Sequence, residues 1–362
     1  PEGEVPIRAI TNGIHTRSWL SHEMVELYTR YFGPRFLEKP ADHAVWERVE
    51  AIPPGELWRI HQARRERLVF FARKRLKNQL LRQGAGMALQ RAAEEALNPE
   101  ALTIGFSRRF ATYKRANLLF RQPDRLIRLL TNPDRPVQIL FAGKAHPHDH
   151  PAKELIREVA QMARDDELKH RIVFLEDYDM NISRYLVSGS DLWLNNPRRP
   201  LEASGTSGMK AAMNGVLQLS CMEGWWIEGY NGRNGWSVTA GQFYNRSDLQ
   251  EMAEAEQPEG RVAHWAQTNH FVAGEARHSL EVGARQEAVD GGRQQQGGKR
   301  AHRPMALHPE HQPFPHAGGP GTDRFATPPA LQILRQFQRH VADQVGNPCL
   351  GRHVGRADDG FV

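Results

Sequence analysis

Residues 191–220 read DLWLNNPRRPLEASGTSGMKAAMNGVLQLS, and the order of residue types within them decides the fold. Asp191-Leu192-Trp193-Leu194-Asn195 is a short apolar run of strand type, Val216 to Ser220 is another, and a helix-forming segment lies between them. Two strands joined through a helix make a parallel crossover. The join itself, Glu202 to Gly215, runs small hydroxyl and glycine residues straight into a helix that carries Lys210. Free backbone N–H groups, hydroxyls and an amine therefore converge at one helix N-terminus, which is a phosphate cradle with a nucleophile inside it. Gly205 and Gly208 let the backbone approach an anion, Thr206 or Ser207 can cap the helix and donate to phosphate, and Lys210 can condense with an aldehyde. The lysine must first lose its proton. A helix dipole contributes only roughly 0.3 to 1 kcal/mol, less than the ~1.4 kcal/mol of one pKa unit, so other cations or burial must complete the activation. The plain alternative is a glycine-rich loop capping an ordinary helix with a solvated lysine.

Upstream, the same alternation repeats. Leu102-Thr103-Ile104-Gly105-Phe106 reads as a buried strand, followed by the loop Ser107 to Arg115 and a helix through Leu130. That geometry puts Arg108, Arg109 and Lys114 at the carboxyl end of a sheet, where open α/β folds bind ligands, and cations there imply an anionic ligand. Val137 to Ala145 is a second strand, a helix runs from Ala152 to Arg164, and Arg171 to Leu175 is a third strand. The alternation predicts an open parallel sheet with flanking helices. His146, His148 and His150 alternate without a supporting cysteine or carboxylate pattern, and Pro147 and Pro151 mark a loop, so no metal site is expected there. From Val45 to Ala96 the pattern is helical, and its basic stretch Arg64 to Lys77 reads as a solvated face over a packed one. Near the start, Thr11 to Leu20 opens with an Asn-Gly turn and runs into a helix.

Length and composition bound the answer. With 362 residues the chain can hold two domains and a substantial core. Its two cysteines, Cys221 and Cys349, cannot form a disulfide framework, which fits a reducing cytoplasm. No run approaches the roughly 20 apolar residues of a membrane span. The chain starts at Pro1, so further sequence upstream is expected. A net charge of +6 is compatible with nucleic acid, but the basic residues are dispersed, which reads as solvated surface plus an anion site. Beyond about Gln242 the pattern changes. Nine of the seventeen histidines fall between His264 and His353, among Gln, Gly, Pro and Arg, and little periodicity survives to build a core. Residues 242–362 are expected to be atypical, a frame-shifted or unrelated translation that is largely disordered.

The run Glu202 to Gly215 resembles the pyridoxal-phosphate segment of the glycogen and α-glucan phosphorylases, of bacterial type. In that family the matching lysine, here Lys210, holds the cofactor covalently. The segment Ser107 to Arg115 is similar to the family's basic segment, and the resemblance implies that Arg109 and Lys114 grip substrate phosphate. Arg108 and Lys114, with Thr206 and Ser207 or Gly208, would hold the cofactor phosphate, and Tyr178, in Glu176-Asp177-Tyr178-Asp179, would stand beside the cofactor. By the same likeness Asn12, Glu202, Ser204 and Gly205 bind the glucosyl hydroxyls. The tryptophan-rich run Glu223 to Trp236 also resembles the bacterial enzymes; its aromatics stack on sugar or pack under a loop, and both readings stay open.

The resemblance covers about Ala9 to Val238 and implies a glycosyltransferase of the two-domain GT-B type. The implied domains are a helical segment 1–100 joining a missing N-terminal domain, a Rossmann-like cofactor domain 101–241 and the atypical tail 242–362. The implied reaction is phosphorolysis of an α-1,4-glucan by inorganic phosphate to α-glucose 1-phosphate, with the cofactor phosphate as acid and base. The family's N-terminal domain supplies a substrate-binding histidine and a phosphate loop that are not recognisable here, so this chain by itself is expected to be weak or inactive. A homo-oligomer stays open; nucleic acid and membrane are not expected partners. Competing readings are a nucleotide-sugar glycosyltransferase such as a glycogen synthase, which shares the sheet but does not need Lys210 as a nucleophile, and a cofactor-binding fragment without turnover.

Overall fold

The computed structural model describes residues 11–40, 42–232 and 234–238. The expectation for 242–362 lies outside the described residues. Chain order begins with helices α1 (Thr16–Trp19), α2 (His22–Phe32), α3 (Arg35–Glu38), α4 (His43–Trp46), α5 (Pro54–Arg82) and α6 (Met87–Glu95). Strand and helix then alternate: β1 (Leu102–Ser107), α7 (Pro123–Leu130), β2 (Val137–Ala142), α8 (His150–Met162), β3 (Ile172–Leu175), α9 (Met180–Gly189), β4 (Leu192–Asn195), α10 (Thr206–Met213), β5 (Leu217–Ser220), α11 (Trp225–Gly229) and β6 (Gly235–Ser237). All strand pairings are parallel, in the order β3-β2-β1-β4-β5-β6. This is the Rossmann order, and its direction of winding reverses between β1 and β4. The open parallel α/β sheet with flanking helices is therefore the fold that the alternation predicts. Among the described residues no helix is long and apolar enough to cross a membrane.

Every residue of β1 through β4 is buried, because a parallel sheet is covered on both faces. Alternate side chains divide between the two faces. Ile104, Phe106, Ile139 and Phe141 pack with Leu126 and Leu130 of α7 and Ala152 and Val159 of α8. Leu140, Ala142 and Val173 turn the other way, onto Leu68 and Ala72 of α5, Ile182 and Leu186 of α9 and Ala211 of α10. A third cluster joins the N-terminal helices to the end of the sheet layer: Met24, Leu27, Tyr28 and Phe36 pack with Met209, Ala212, Met213, Trp225 and Trp226.

Three features depart from expectation. The helix expected to run through to Leu130 is two 3-10 turns, Thr112–Lys114 and Leu118–Arg121, followed by α7, because Pro123 can open a helix but cannot sit inside one. Trp225 and Trp226 are fully buried, so packing rather than sugar stacking accounts for them, and the same run ends in an edge strand, β6, that its glycines conceal. The third is in α5. Arg67 and Lys74 are exposed as a solvated face requires, yet Arg64 and Arg65 are buried.

The cause of that burial is Asp191, which stands at the amino end of β4. Its Oδ1 accepts from His61 Nε2 at 2.6 Å and Arg65 Nη1 at 2.8 Å, while Oδ2 accepts from the Thr103 backbone N–H at 2.7 Å. Its own backbone N–H donates to Thr103 O. One carboxylate thus ties α5 to the starts of β1 and β4. Burial pushes the Asp191 carboxyl up, but Arg65, His61 and the Thr103 amide outweigh it and hold it below the ordinary range. Burial likewise lowers His61, against the pull of Asp191. Removing one partner of such a group leaves a buried charge unpaired, so Asp191→Asn should cost roughly 3–5 kcal/mol in a urea titration. Stability of the parent should also fall as pH drops. Below the ordinary histidine range the unfolded chain binds a proton that buried His61 refuses, and Asp191 adds a second loss as pH falls from the ordinary carboxylate value through its lowered one. Denaturation midpoints from about pH 8 to 2 should show both losses in the parent, whereas in Asp191→Asn the loss below the ordinary carboxylate value should be absent and the histidine loss should remain, because the group that pulls His61 up is gone.

Candidate active site

The carboxyl ends of β1 and β4 flank the point where the sheet reverses its winding, and the loops leaving them carry most of the expected site residues. Arg115, held at φ +50°, stitches those loops together. Its guanidinium donates to Asn196 O and Pro197 O, each at 2.9 Å, while Asn196 Nδ2 returns a bond to Arg115 O and the Arg198 N–H donates to Tyr113 O at 2.7 Å. Residues from the β1 loop and the β4 loop are thereby forced into one place.

There Arg108, Lys114 and Glu202 meet, all of them more than nine-tenths buried. Arg108 Nη2 lies 3.3 Å from Glu202 Oε2, and Lys114 Nζ makes an ion pair with the same oxygen. Lys114 also stands over the Tyr113 ring, 4.6 Å from its centroid. Burial lowers Arg108 against the attraction of Glu202. Two buried cations facing one carboxylate leave an excess of positive charge, and Arg108 Nη1 is buried without a hydrogen-bond partner. Arg109, by contrast, is exposed.

Glu202 is held from behind. Its backbone N–H donates to Glu223 Oε1 at 2.9 Å, and burial pushes the Glu223 carboxyl up. Ser204 O accepts from the Trp225 N–H at 2.8 Å, and Ser204 Oγ accepts from the Asn12 N–H at 3.2 Å, which brings the N-terminal loop onto the β4–α10 loop. Thr11 Oγ1 donates to Glu228 of α11 on the same side.

α10 begins beside this cluster. Its N-cap is Gly205, at φ +84° and ψ +66°, a conformation open to glycine, and no side chain caps the helix. The expectation that Thr206 or Ser207 caps it is corrected: both are already helical, and the Ser207 hydroxyl accepts from Trp193 Nε1 at 3.4 Å. The first-turn N–H groups therefore have no side-chain acceptor of their own. At Gly208 a Cβ would lie 2.7 Å from Trp225 Nε1 and 2.9 Å from Gln218 Oε1, so only glycine lets the helix sit this close to β5 and α11. Lys210 follows, half-buried, with Nζ 3.7 Å from the centroid of the Trp19 ring, and burial lowers its pKa from the ordinary lysine value. The neutral amine that condensation needs is favoured by burial, the route that the weak helix dipole leaves open.

The sequence-expected residues thus divide. Arg108, Lys114 and Glu202 converge, the Asn12 backbone joins Ser204, and Gly205, Thr206, Ser207, Gly208 and Lys210 form the adjoining helix start. Tyr178 follows the edge strand β3 and meets the rest only through the apolar cluster that it shares with Trp19 and Ala211. Trp19 and Glu223 carry structural duties at the site that sequence reasoning did not assign. Trp19 closed a run read as an amphipathic helix start and Glu223 opened one read for its tryptophans, so neither residue type stood out.

The family sequence model for carbohydrate phosphorylases matches residues 5–231. The chain is 47% identical over 238 residues to the maltodextrin phosphorylase of Thermococcus litoralis, covering 66% of this chain and 28% of that protein. It is 45% identical over 236 residues to the glycogen phosphorylase of Aquifex aeolicus, covering 65% and 34%, and 46% identical over 235 residues to that of Mycobacterium tuberculosis, covering 65% and 27%. The chain therefore spans about a third or less of the length of these relatives. With the matched region containing the β1 loop, the β4 loop and α10 together, the chain belongs to the carbohydrate phosphorylase family.

Proposed function

We propose that this chain is the cofactor-bearing part of an α-glucan phosphorylase, with Lys210 as the attachment point for pyridoxal phosphate. The observation that carries the reading is an uncapped helix N-terminus placed one turn before a half-buried lysine. Three features support a fit to a phosphorylated aldehyde. Arg108 Nη1 is a buried donor with no partner, the cluster of Arg108, Lys114 and Glu202 keeps excess positive charge, and Gly205 at the N-cap has no side chain to occupy the first-turn N–H groups of the helix.

When bound, pyridoxal phosphate supplies a phosphate group that exchanges a proton with inorganic phosphate during cleavage of an α-1,4-glucan. The residues of this chain do the rest. Lys210 anchors through its amine, which burial keeps deprotonated at a lower pH than an exposed lysine. Arg108, Lys114 and the backbone N–H groups of Thr206, Ser207 and Gly208 hold the cofactor phosphate, and Tyr178 borders the cofactor. Arg109, whose exposure leaves it free to reach outward, joins Lys114 on inorganic phosphate. Asn12, Glu202, Ser204 and Gly205 receive the glucosyl hydroxyls. The same proposal divides the chain into a helical segment 1–100, a cofactor domain 101–241 and a separate tail 242–362, within a GT-B enzyme of the cytoplasm.

Two experiments test the reading. Incubation with pyridoxal phosphate, borohydride reduction and peptide mapping should label Lys210, and Lys210→Arg should abolish that label; a folded chain labelled only at exposed lysines contradicts the proposal. In Arg108→Gln the concentration of pyridoxal phosphate needed for half-labelling of Lys210 should rise by about tenfold or more, while labelling by pyridoxal, which has no phosphate, should be unchanged. Equal losses for both aldehydes would mean that Arg108 does not read the phosphate.

A further inference from the structure

Asn214, at the C-terminal end of α10, is fully buried and uses every hydrogen-bonding position of its side chain. Nδ2 donates to Trp19 O and to Lys210 O, both at 2.8 Å. Oδ1 accepts from the Ser21 N–H at 3.0 Å and from Arg64 Nη1 at 3.4 Å, while Arg64 Nη2 donates to Asn214 O at 2.9 Å. An amide has two donors and two lone pairs, so this set is complete, and turning the group over would face donors against Ser21 and Arg64. An aspartate could not donate to the two carbonyls, and a serine is too short to reach both.

The two carbonyls belong to the residues whose side chains meet in the site. Lys210 Nζ lies on the Trp19 ring, and Asn214 joins the Lys210 and Trp19 backbones at a single nitrogen. Arg64, buried on α5, holds the amide from the other side. We propose that Asn214, fixed by Arg64, is a positioning residue that sets the Trp19 ring across Lys210 and so controls how much water reaches the amine. Its meaning for catalysis rests on Lys210 being the cofactor lysine; the coupling itself does not.

The ionisable groups on the elements around α10 have partners of their own. Arg64 is on Asn214, His61 and Arg65 are on Asp191, Arg108 and Lys114 are on Glu202, and Arg184 of α9 donates to Ser18 O. His15 lies on Ser18 Oγ, and Arg17 is exposed on α1, the short helix that ends at Trp19. Burial is the cause that lowers Lys210. The Trp19 ring is one wall of that burial. The ring also attracts an ammonium, but a full water shell solvates it better, so loss of the ring moves the lysine up toward its ordinary value.

The test is acetylation of the whole chain by a small amine reagent across pH, with the midpoint for Lys210 read by peptide mapping against exposed Lys153 as internal reference. In the parent the Lys210 midpoint should lie below that of Lys153. Trp19→Leu should raise it by about half a pH unit or more. Asn214→Ala should raise it similarly, and the double variant should go no further than Trp19→Leu, as expected if Asn214 acts through the ring. Asn214→Ser provides the same reading with less disturbance of packing, and circular dichroism checks that each variant folds. An unchanged Lys210 midpoint in folded Asn214→Ala or Asn214→Ser, or shifts that add in the double variant, overturns the proposal. Acetylation needs no cofactor. A parent chain that shows this coupling but takes no pyridoxal phosphate on Lys210 would defeat the proposed function and leave the positioning role standing.

Discussion

Three parts of the chain must reach one buried carboxylate at once. Asp191 takes a histidine and an arginine from α5 and a backbone amide from β1, and its own backbone joins β4 to β1. None of these groups can be left alone in an apolar interior without a large penalty. The consequence is positional. α5 is fixed on one face of the sheet, and β1 and β4, far apart in sequence, are held side by side with a defined stagger, Ile104 opposite Leu192.

That stagger decides what happens at the other end. Since β1 and β4 flank the reversal of winding, their loops cannot both fold back over neighbouring strands, and it is at these carboxyl ends that open α/β folds place their ligand crevice. Arg115 closes the two loops onto each other through backbone carbonyls, which leaves Arg108 and Lys114 no direction but toward Glu202. The cations of the β1 loop thus meet a carboxylate some ninety residues away in sequence, and the parallel topology brings the two segments together. α10 starts at the same crevice with its amide groups uncapped. α5 secures the opposite, amino edge of the sheet twice, through Arg65 to Asp191 at the start of β4 and through Arg64 to Asn214 at the end of α10.

Much of this was legible in the sequence. β1 through β5 read as short, nearly continuous apolar runs because both faces of a parallel sheet are covered, and the helices between them carry the longer period. The glycine-led start of the helix that carries Lys210 was legible too, although its residue types alone leave an ordinary helix with a solvated lysine as the plain alternative. What could not be read has a common cause. Arg64 and Arg65 looked solvated because their partners, Asn214 and Asp191, lie more than a hundred residues away. The pairing of Lys114 with Glu202 is hidden for the same reason. The cap assigned to Thr206 or Ser207 failed on a single backbone angle, the positive φ at Gly205, which residue type alone leaves undetermined. β6 escaped notice because three residues inside a glycine- and tryptophan-rich run show no period.

The central claim is that the crevice between the β1 and β4 loops holds a phosphate that belongs to an aldehyde bound on Lys210. A crystal structure of the chain grown with pyridoxal phosphate tests it most directly. The account predicts continuous density from Lys210 Nζ to a phosphate within hydrogen-bond distance of the Thr206 and Ser207 N–H groups and of Arg108 Nη1. A phosphate bound elsewhere, or density at this crevice with no link to Lys210, would contradict it.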